Sequence, residues 1–256
     1  MAPANSRYRC RPTSRLGWLE SFEQYYKGDV GSILDAVTEQ LDADGRRRFS
    51  WGETSFFMRW LETRPATVKA TVRRLVEERR LEFVGGGWVQ HDEANPGPDA
   101  IVAQLTQGHE YLATLFGVKP RVAWSIDPFG ASAASAAVAA AAGYDALVIN
   151  RVDYSVKDAL KSRAAMEFIW EPYGTTQNGS SIAKGSYGTA SLLVHVLHSH
   201  YSAPKGFDFE NAEGTPVTSN NVAQRASMLV SDLLRRAAAY RTSHLLVPWG
   251  DDFKVR

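Results

Sequence analysis

Two carboxylate positions carry the chemistry that this sequence offers. The first is Asp127, in Val122-Ala-Trp-Ser-Ile-Asp127-Pro-Phe-Gly130. An apolar run rich in strand formers stops at Asp-Pro-Phe-Gly, where Pro128 and Gly130 turn the chain. A parallel strand that delivers a carboxylate to the carboxyl edge of its sheet has this form, and that edge is where α/β folds place ligands and chemistry. A carboxylate capping the next helix has the same form, so Asp127 alone stays open to both readings. The second position is the pair Asp251 and Asp252, in Trp249-Gly-Asp-Asp-Phe253 after the apolar Leu245-Leu-Val247. Two carboxylates on one rim suit glycoside hydrolysis, one as nucleophile and one as acid/base, about 5 Å apart in a retaining enzyme and further apart in an inverting one. Metal-dependent phosphoryl-transfer and aldol enzymes carry such pairs too.

Around these positions lie groups that would support sugar chemistry. Trp18, Trp51, Trp88, Phe129, Tyr201, Trp249 and Phe253 sit near the expected strand ends. Aromatic faces suit the apolar C–H faces of sugars, although for each ring alone a packed core residue is the plainer reading. Arg151 ends the strand after that of Asp127, where a guanidinium would orient the carboxylate. His195, His198 and His200 form a histidine cluster. On a strand, His198 and His200 would share a face, as zinc ligands often do, and with Asp127 they would make a metal site. Ordinary hydrogen-bonded histidines are the plainer reading. His91-Asp92-Glu93, after Gly85-Gly-Gly-Trp88, reads as a rim loop whose acids hold backbone.

The elements that must position these groups alternate. Helical spacing runs over Trp18–Leu41, from Phe56 to Trp60, Ala66–Arg80, Ile101–Phe116, Ala131–Ala142 and Val222–Tyr240. Strands are expected at 46–53, 81–84, 122–126, 146–149, 166–170, 192–197 and 245–247, and 174–188 is a loop rich in Gly, Ser and Thr. Strands alternating with helices mean a parallel sheet, and this number of βα units favours a barrel. The strand ends Gly52-Glu53, Gly85-Gly-Gly87, Asp127-Pro128, Asn150-Arg151, His198-Ser-His200 and Gly250-Asp-Asp252 then face one rim.

Composition bounds the rest. Hydrophobic residues make 44% and charged residues 22% of 256, a globular balance, and the net charge of +1 gives no field for nucleic acid. Cys10 is the lone cysteine, which excludes an internal disulfide and a thiolate cluster. No apolar run is long enough to span a bilayer. Residues 1–15 are basic and polar, read as disordered, and lack the apolar core of a signal peptide.

Four ordered stretches carry a family resemblance. They are Arg46-Arg-Arg-Phe-Ser-Trp-Gly-Glu53-Thr-Ser-Phe-Phe57, Gly86-Gly-Trp-Val-Gln-His-Asp-Glu-Ala-Asn95, Trp124-Ser-Ile-Asp-Pro-Phe-Gly130 and Val247-Pro-Trp-Gly-Asp-Asp-Phe253. Together they resemble the catalytic domain of class II α-mannosidases, glycoside hydrolase family 38, over residues 16–256, with His200-Tyr-Ser-Ala-Pro204 closer to the lysosomal and vacuolar branch than to the Golgi branch. The resemblance implies an α/β fold, a seven-stranded (β/α) barrel of the glycoside hydrolase/deacetylase type. It also implies zinc-dependent, retaining hydrolysis of α-mannosidic bonds in mannose-containing glycans, in the lumen of the lysosome, vacuole or Golgi. Asp127 matches the family's nucleophile and zinc ligand, and Asp252 its general acid/base. Trp18, Phe129, Arg151, Tyr201 and Asp251 match substrate-binding positions.

The sequence also departs from the family. Members open with a strand ending in His-x-His-x-Asp-x-Gly-Trp; here the matching stretch is Pro12-Thr-Ser-Arg-Leu-Gly17-Trp18. Of four expected zinc ligands only Asp127 is present, which leaves three absent. The expectation is a barrel without its first strand, and a fragment of a mannosidase that is itself inactive. The alternative is a non-catalytic mannose-binding pseudoenzyme. A metal-dependent hydrolase using His198 and His200 ranks third.

Overall fold

The structure, a computed structural model, describes residues 19–172, 191–209 and 215–253. Helix α1 (Phe22–Tyr25) starts at Ser21, where Ser21 and Gln24 cap each other's backbone reciprocally. A π-helical turn (Tyr26–Val30) leads directly into α2 (Gly31–Ala43), so the helix expected over Trp18–Leu41 begins later and contains a wider turn. There follow β1 (Phe49–Trp51), α3 (Thr54–Glu62), α4 (Ala66–Glu77), β2 (Leu81–Phe83), α5 (Pro98–Phe116), β3 (Val122–Ser125), α6 (Ala133–Ala141) and β4 (Ala146–Ile149). The described residues continue with α7 (Tyr154–Ser162), β5 (Glu167–Trp170), β6 (Leu192–Val196) and α8 (Val222–Ala237).

Strands and helices alternate as the apolar pattern predicts, and the class is α/β. Among the described residues the strands form two small open sheets, one of β1 and β2 and one in the order β3-β4-β6-β5. The pairs β1–β2, β3–β4 and β4–β6 are parallel, whereas β5 runs antiparallel to β6 with Glu167 opposite His195. One backbone hydrogen bond, from Gly85 N–H to the Val122 carbonyl at 2.7 Å, joins the two sheets where β2 ends and β3 begins.

Three expectations change. The strand expected at Leu245–Val247 is irregular chain in the structure. Its natural edge is already taken, because β5 occupies the side of β6 away from β4. The parallel direction expected for 166–170 is reversed. Helix α7 was not anticipated, although Asp153 announces it by accepting from the Ser155 and Val156 amides. The loop expected at 174–188 lies outside the described residues.

Three apolar clusters hold the elements together. Phe56, Phe57, Trp60, Leu75 and Leu112 centre the first, between β1–β2 and their helices. Burying each such side chain contributes roughly 2–3 kcal/mol. Leu147, Ile149, Met166, Leu192, Val194 and Val196 centre the second, under α6 and the chain after α8. Val84, Trp124, Ile126, Val148, Leu197 and Tyr201 form the third. This last cluster supports the end of β3 and hence Asp127. The loop after β2 is held against α5 at Gly108, where an added Cβ would stand 2.1 Å from the Gly86 carbonyl oxygen. Gly85 and Gly86 turn with φ of +64° and +69°, which a side chain would disfavour.

Candidate active site

Asp127 follows β3 and is buried, with only 6% of its surface exposed. Its carboxylate is held from two directions. Arg151, just past β4, donates from Nε to Oδ1 at 3.0 Å and also from Nη2. Tyr201, beyond β6, donates its hydroxyl to the same Oδ1 at 2.8 Å. Three neighbouring strand ends therefore meet on one oxygen, which is what parallel β3, β4 and β6 achieve by ending on the same rim. Asp127 does not cap α6; Ser132 takes that place through the Ser135 amide.

The backbone of Asp127 is fixed from behind. Its N–H donates to Gln90 Oε1 at 3.3 Å, while Gln90 Nε2 donates to the Trp124 carbonyl at 3.3 Å. The buried Glu53 accepts from the Gln90 amide at 3.2 Å. Glu93 accepts from Ser125 Oγ at 3.3 Å and from the Ser132 amide at 2.9 Å. The rim-loop acid thus holds backbone, as its place after Gly-Gly-Gly-Trp suggests. Gln90 was not foreseen, because a lone glutamine in a loop carries no pattern that marks it.

Electrostatics tie the second carboxylate pair to the same place. The Ala203 amide donates to the Gly250 carbonyl at 3.1 Å, bringing Gly250-Asp251-Asp252 beside the Tyr201 loop. Burial, the hydrogen bond to Asp127 and the charges of Asp252 and Asp127 push the Tyr201 phenol far above its ordinary value, so it stays a donor. Burial and the Arg151 charge push His200 down, against the opposing pull of Asp251 and Asp127. The Asp252 amide donates to Asp251 Oδ1 at 2.9 Å, and Phe253 stacks on Tyr25 at 4.8 Å. Burial pulls Arg151 down, its bond to and charge from Asp127 raise it, and the net direction is up. The Arg151 guanidinium lies 4.7 Å from the centre of the Phe129 ring, which is 68% exposed. A cavity of ≈ 60 Å³ behind this rim is lined by Glu53, Gln90, His91, Glu93, Trp124 and Phe253, among others.

The structure therefore gathers Asp127, Phe129, Arg151, Tyr201, Asp251 and Asp252. Trp18 lies outside the described residues. The histidines do not gather. His195, in β6, bonds Glu167 at 2.8 Å; His198 and His200 lie past the strand, where they bond Ser199 Oγ at 2.8 Å and Ser202 Oγ at 3.4 Å. The shared strand face expected for His198 and His200 is absent because β6 ends at Val196.

A zinc site needs several His, Cys, Asp or Glu donors around one point. Among the described residues no three of His, Cys, Asp and Glu are grouped to hold a metal ion. Oδ1 of Asp127 already accepts from Arg151 and Tyr201. The described residues by themselves do not fit the ion.

Known proteins share this arrangement of elements. The chain is 33% identical to "Alpha-mannosidase B" of Dictyostelium discoideum over 94% of its own length and 25% of that protein. It is 35% identical to the "Lysosomal alpha-mannosidase" of the same organism over 93% of its length and 24% of that protein. Both figures mean that the chain spans about a quarter of these relatives. Among solved structures, an α-mannosidase from Enterococcus faecalis superposes with a TM-score of 0.70 at 16% identity, over 97% of this chain and 25% of that one, which shows the shared fold. No helix among the described residues is long and apolar enough to cross a membrane. Residues 15–256 match the family profile "Glycosyl hydrolases family 38 N-terminal domain", and the chain belongs to that family.

Proposed function

We propose that this chain carries the sugar-cleaving carboxylates of an α-mannoside hydrolase acting on mannose-containing glycans. The convergence of Arg151 and Tyr201 on one oxygen of Asp127 carries this reading. In it, Asp127 attacks the anomeric carbon, and Asp252 gives a proton to the departing glycosidic oxygen. Water then takes the sugar from Asp127, with Asp252 accepting its proton, so the configuration is retained. Two donors on Oδ1 fix the carboxylate's rotation before the attack. Asp251 and Phe129 contact the sugar. The two open sheets are proposed as part of one wall of a seven-stranded barrel. The lumen of the lysosome, vacuole or Golgi is the proposed setting.

The family's zinc would bring Lewis-acid chemistry, with Asp127 as one ligand, but the described residues do not assemble a set for it. The 256-residue polypeptide is accordingly proposed to bind an α-mannoside without turning it over. The test is calorimetric binding and release of p-nitrophenol from p-nitrophenyl α-mannoside, with and without added zinc. Binding that weakens in Asp127→Asn, without turnover, is expected. Turnover that Asp127→Asn abolishes would refute inactivity while supporting the role of Asp127. Absence of binding at any concentration tested would remove the mannoside reading.

A second reading, a non-catalytic mannose-binding protein, draws on the exposed Phe129 ring beside Arg151. Binding lost in Phe129→Ala but kept in Asp127→Asn favours it.

A further inference from the structure

Helix α7 presents one buried side chain to the body of the protein, and it is a lysine, Lys157. Only 8% of Lys157 is exposed. Its ammonium donates to Asn150 Oδ1 at 3.2 Å and to the Ser199 carbonyl at 3.1 Å. Both acceptors are neutral. Of its acidic neighbours, Asp158 is already bonded to Lys161. A buried cation held by neutral acceptors alone is costly, and an apolar side chain of similar volume would pack α7 more cheaply. Stability therefore does not account for Lys157.

Its two acceptors do. Asn150 is the residue directly before Arg151, and Ser199 lies two before Tyr201. These are the two side chains that meet on Oδ1 of Asp127. The loops leave neighbouring parallel strands, β4 and β6, and Leu197 N–H donates to the Ile149 carbonyl at 2.9 Å as the ladder's last bond. Beyond that bond the ammonium spans the loops where they leave the strands, and Arg151 Nη2 donates to the Tyr201 hydroxyl at 3.4 Å nearer Asp127.

We infer that Lys157 is a positioning residue, tying the loop that carries Arg151 to the loop that carries Tyr201 so that both reach Asp127. The inference rests on reading Asp127 as the working carboxylate. Burial, and secondarily the Lys161 charge against that of Asp158, bring Lys157 down to about 8, so at neutral pH it remains a cation and keeps all its donors.

The test follows the Arg151 Nε–H proton by NMR in the ¹⁵N-labelled full chain, its signal assigned by its loss in Arg151→Lys. In Lys157→Met this proton is expected to exchange with solvent about tenfold faster, the change that follows from weakening one hydrogen bond. The amides of β4 and β6 should exchange at their original rates. An unchanged Arg151 signal overturns the proposal, and so does a change shared equally by the strand amides, which would mark a merely structural role. Should Lys157→Met fail to fold, Asn150→Ala removes one acceptor and is read by the same two outcomes. Failure of the mannoside reading is seen separately, as a wild-type chain that binds no p-nitrophenyl α-mannoside while the Arg151 signal still responds to Lys157.

Discussion

The hydroxyl of Tyr201 meets the carboxylate of Asp127 at 2.8 Å across 74 residues of sequence. Its ring is buried among Val84, Trp124, Ile126, Val148 and Leu197, so packing helps to hold the phenol in place beside the hydrogen bond. Tyr201→Phe should leave that packing intact and remove one donor from Oδ1. The expected result is a melting temperature within a few degrees of the original and α-mannoside binding weakened up to about tenfold, since one such bond contributes roughly 1 kcal/mol. Calorimetry beside a thermal melt decides it. Equal binding would mean that Arg151 alone orients the carboxylate.

Arg151 makes the stronger contact, as a charged donor through two nitrogens. Arg151→Met leaves the buried Asp127 charge without its cation. Loss of one partner from a buried pair costs about 3–5 kcal/mol, and the partial exposure of Arg151 brings the expectation down to about 1–3 kcal/mol. Urea unfolding at neutral pH measures it. A variant as stable as the parent would show that solvent compensates the carboxylate.

Much of this site was legible because parallel strands end on a common edge. Asp127, Arg151 and Tyr201 each follow an apolar run, and one rim brings them together. The groups that hold them were hidden. Gln90 is an ordinary loop amide until Asp127 N–H and the Trp124 carbonyl are seen on either side of it. Lys157, in a helix with Lys and Asp around it, has the pattern of a solvated face. The histidines misled because the three lie two or three residues apart, whereas the strand carries only His195 and the other two follow the turn. Leu245–Val247 has the composition of a strand but lacks an edge to join, and an edge is a property of the whole sheet.

The approach of α5 to the glycine loop gives a prediction about the scaffold. A methyl group on Gly108 would fall 2.1 Å from the Gly86 oxygen and 2.6 Å from the Gly87 carbonyl carbon, both backbone. Backbone cannot rotate away, so α5 must shift. Gly108→Ala is expected to destabilise by about 1–3 kcal/mol despite the higher helix propensity of alanine, and to disturb the loop leading to Gln90. The comparison is Gly28→Ala, where nothing beyond the adjoining chain lies within 4 Å of the added carbon and a neutral or stabilising change is expected. Equal effects at the two positions would refute the close contact as the cause.

His198 gives the pH dependence. Only 7% of it is exposed, and burial together with the charges of Lys161, Arg235 and Arg236 brings it from 6.5 down to about 4. The unfolded chain takes up the proton first as pH falls. The stability tied to His198 is thus fully present above about 6.5 and is lost progressively between there and about 4. Each unit of displacement corresponds to about 1.4 kcal/mol, so the loss on this acid limb is on the order of 3 kcal/mol. Urea unfolding of the chain at pH 7 and pH 4.5, repeated for His198→Gln, isolates it from the other titrating groups. The difference between the two proteins should narrow toward acid, because the glutamine side chain takes up no proton. A constant difference across this range would show that His198 is equally easy to protonate in both states.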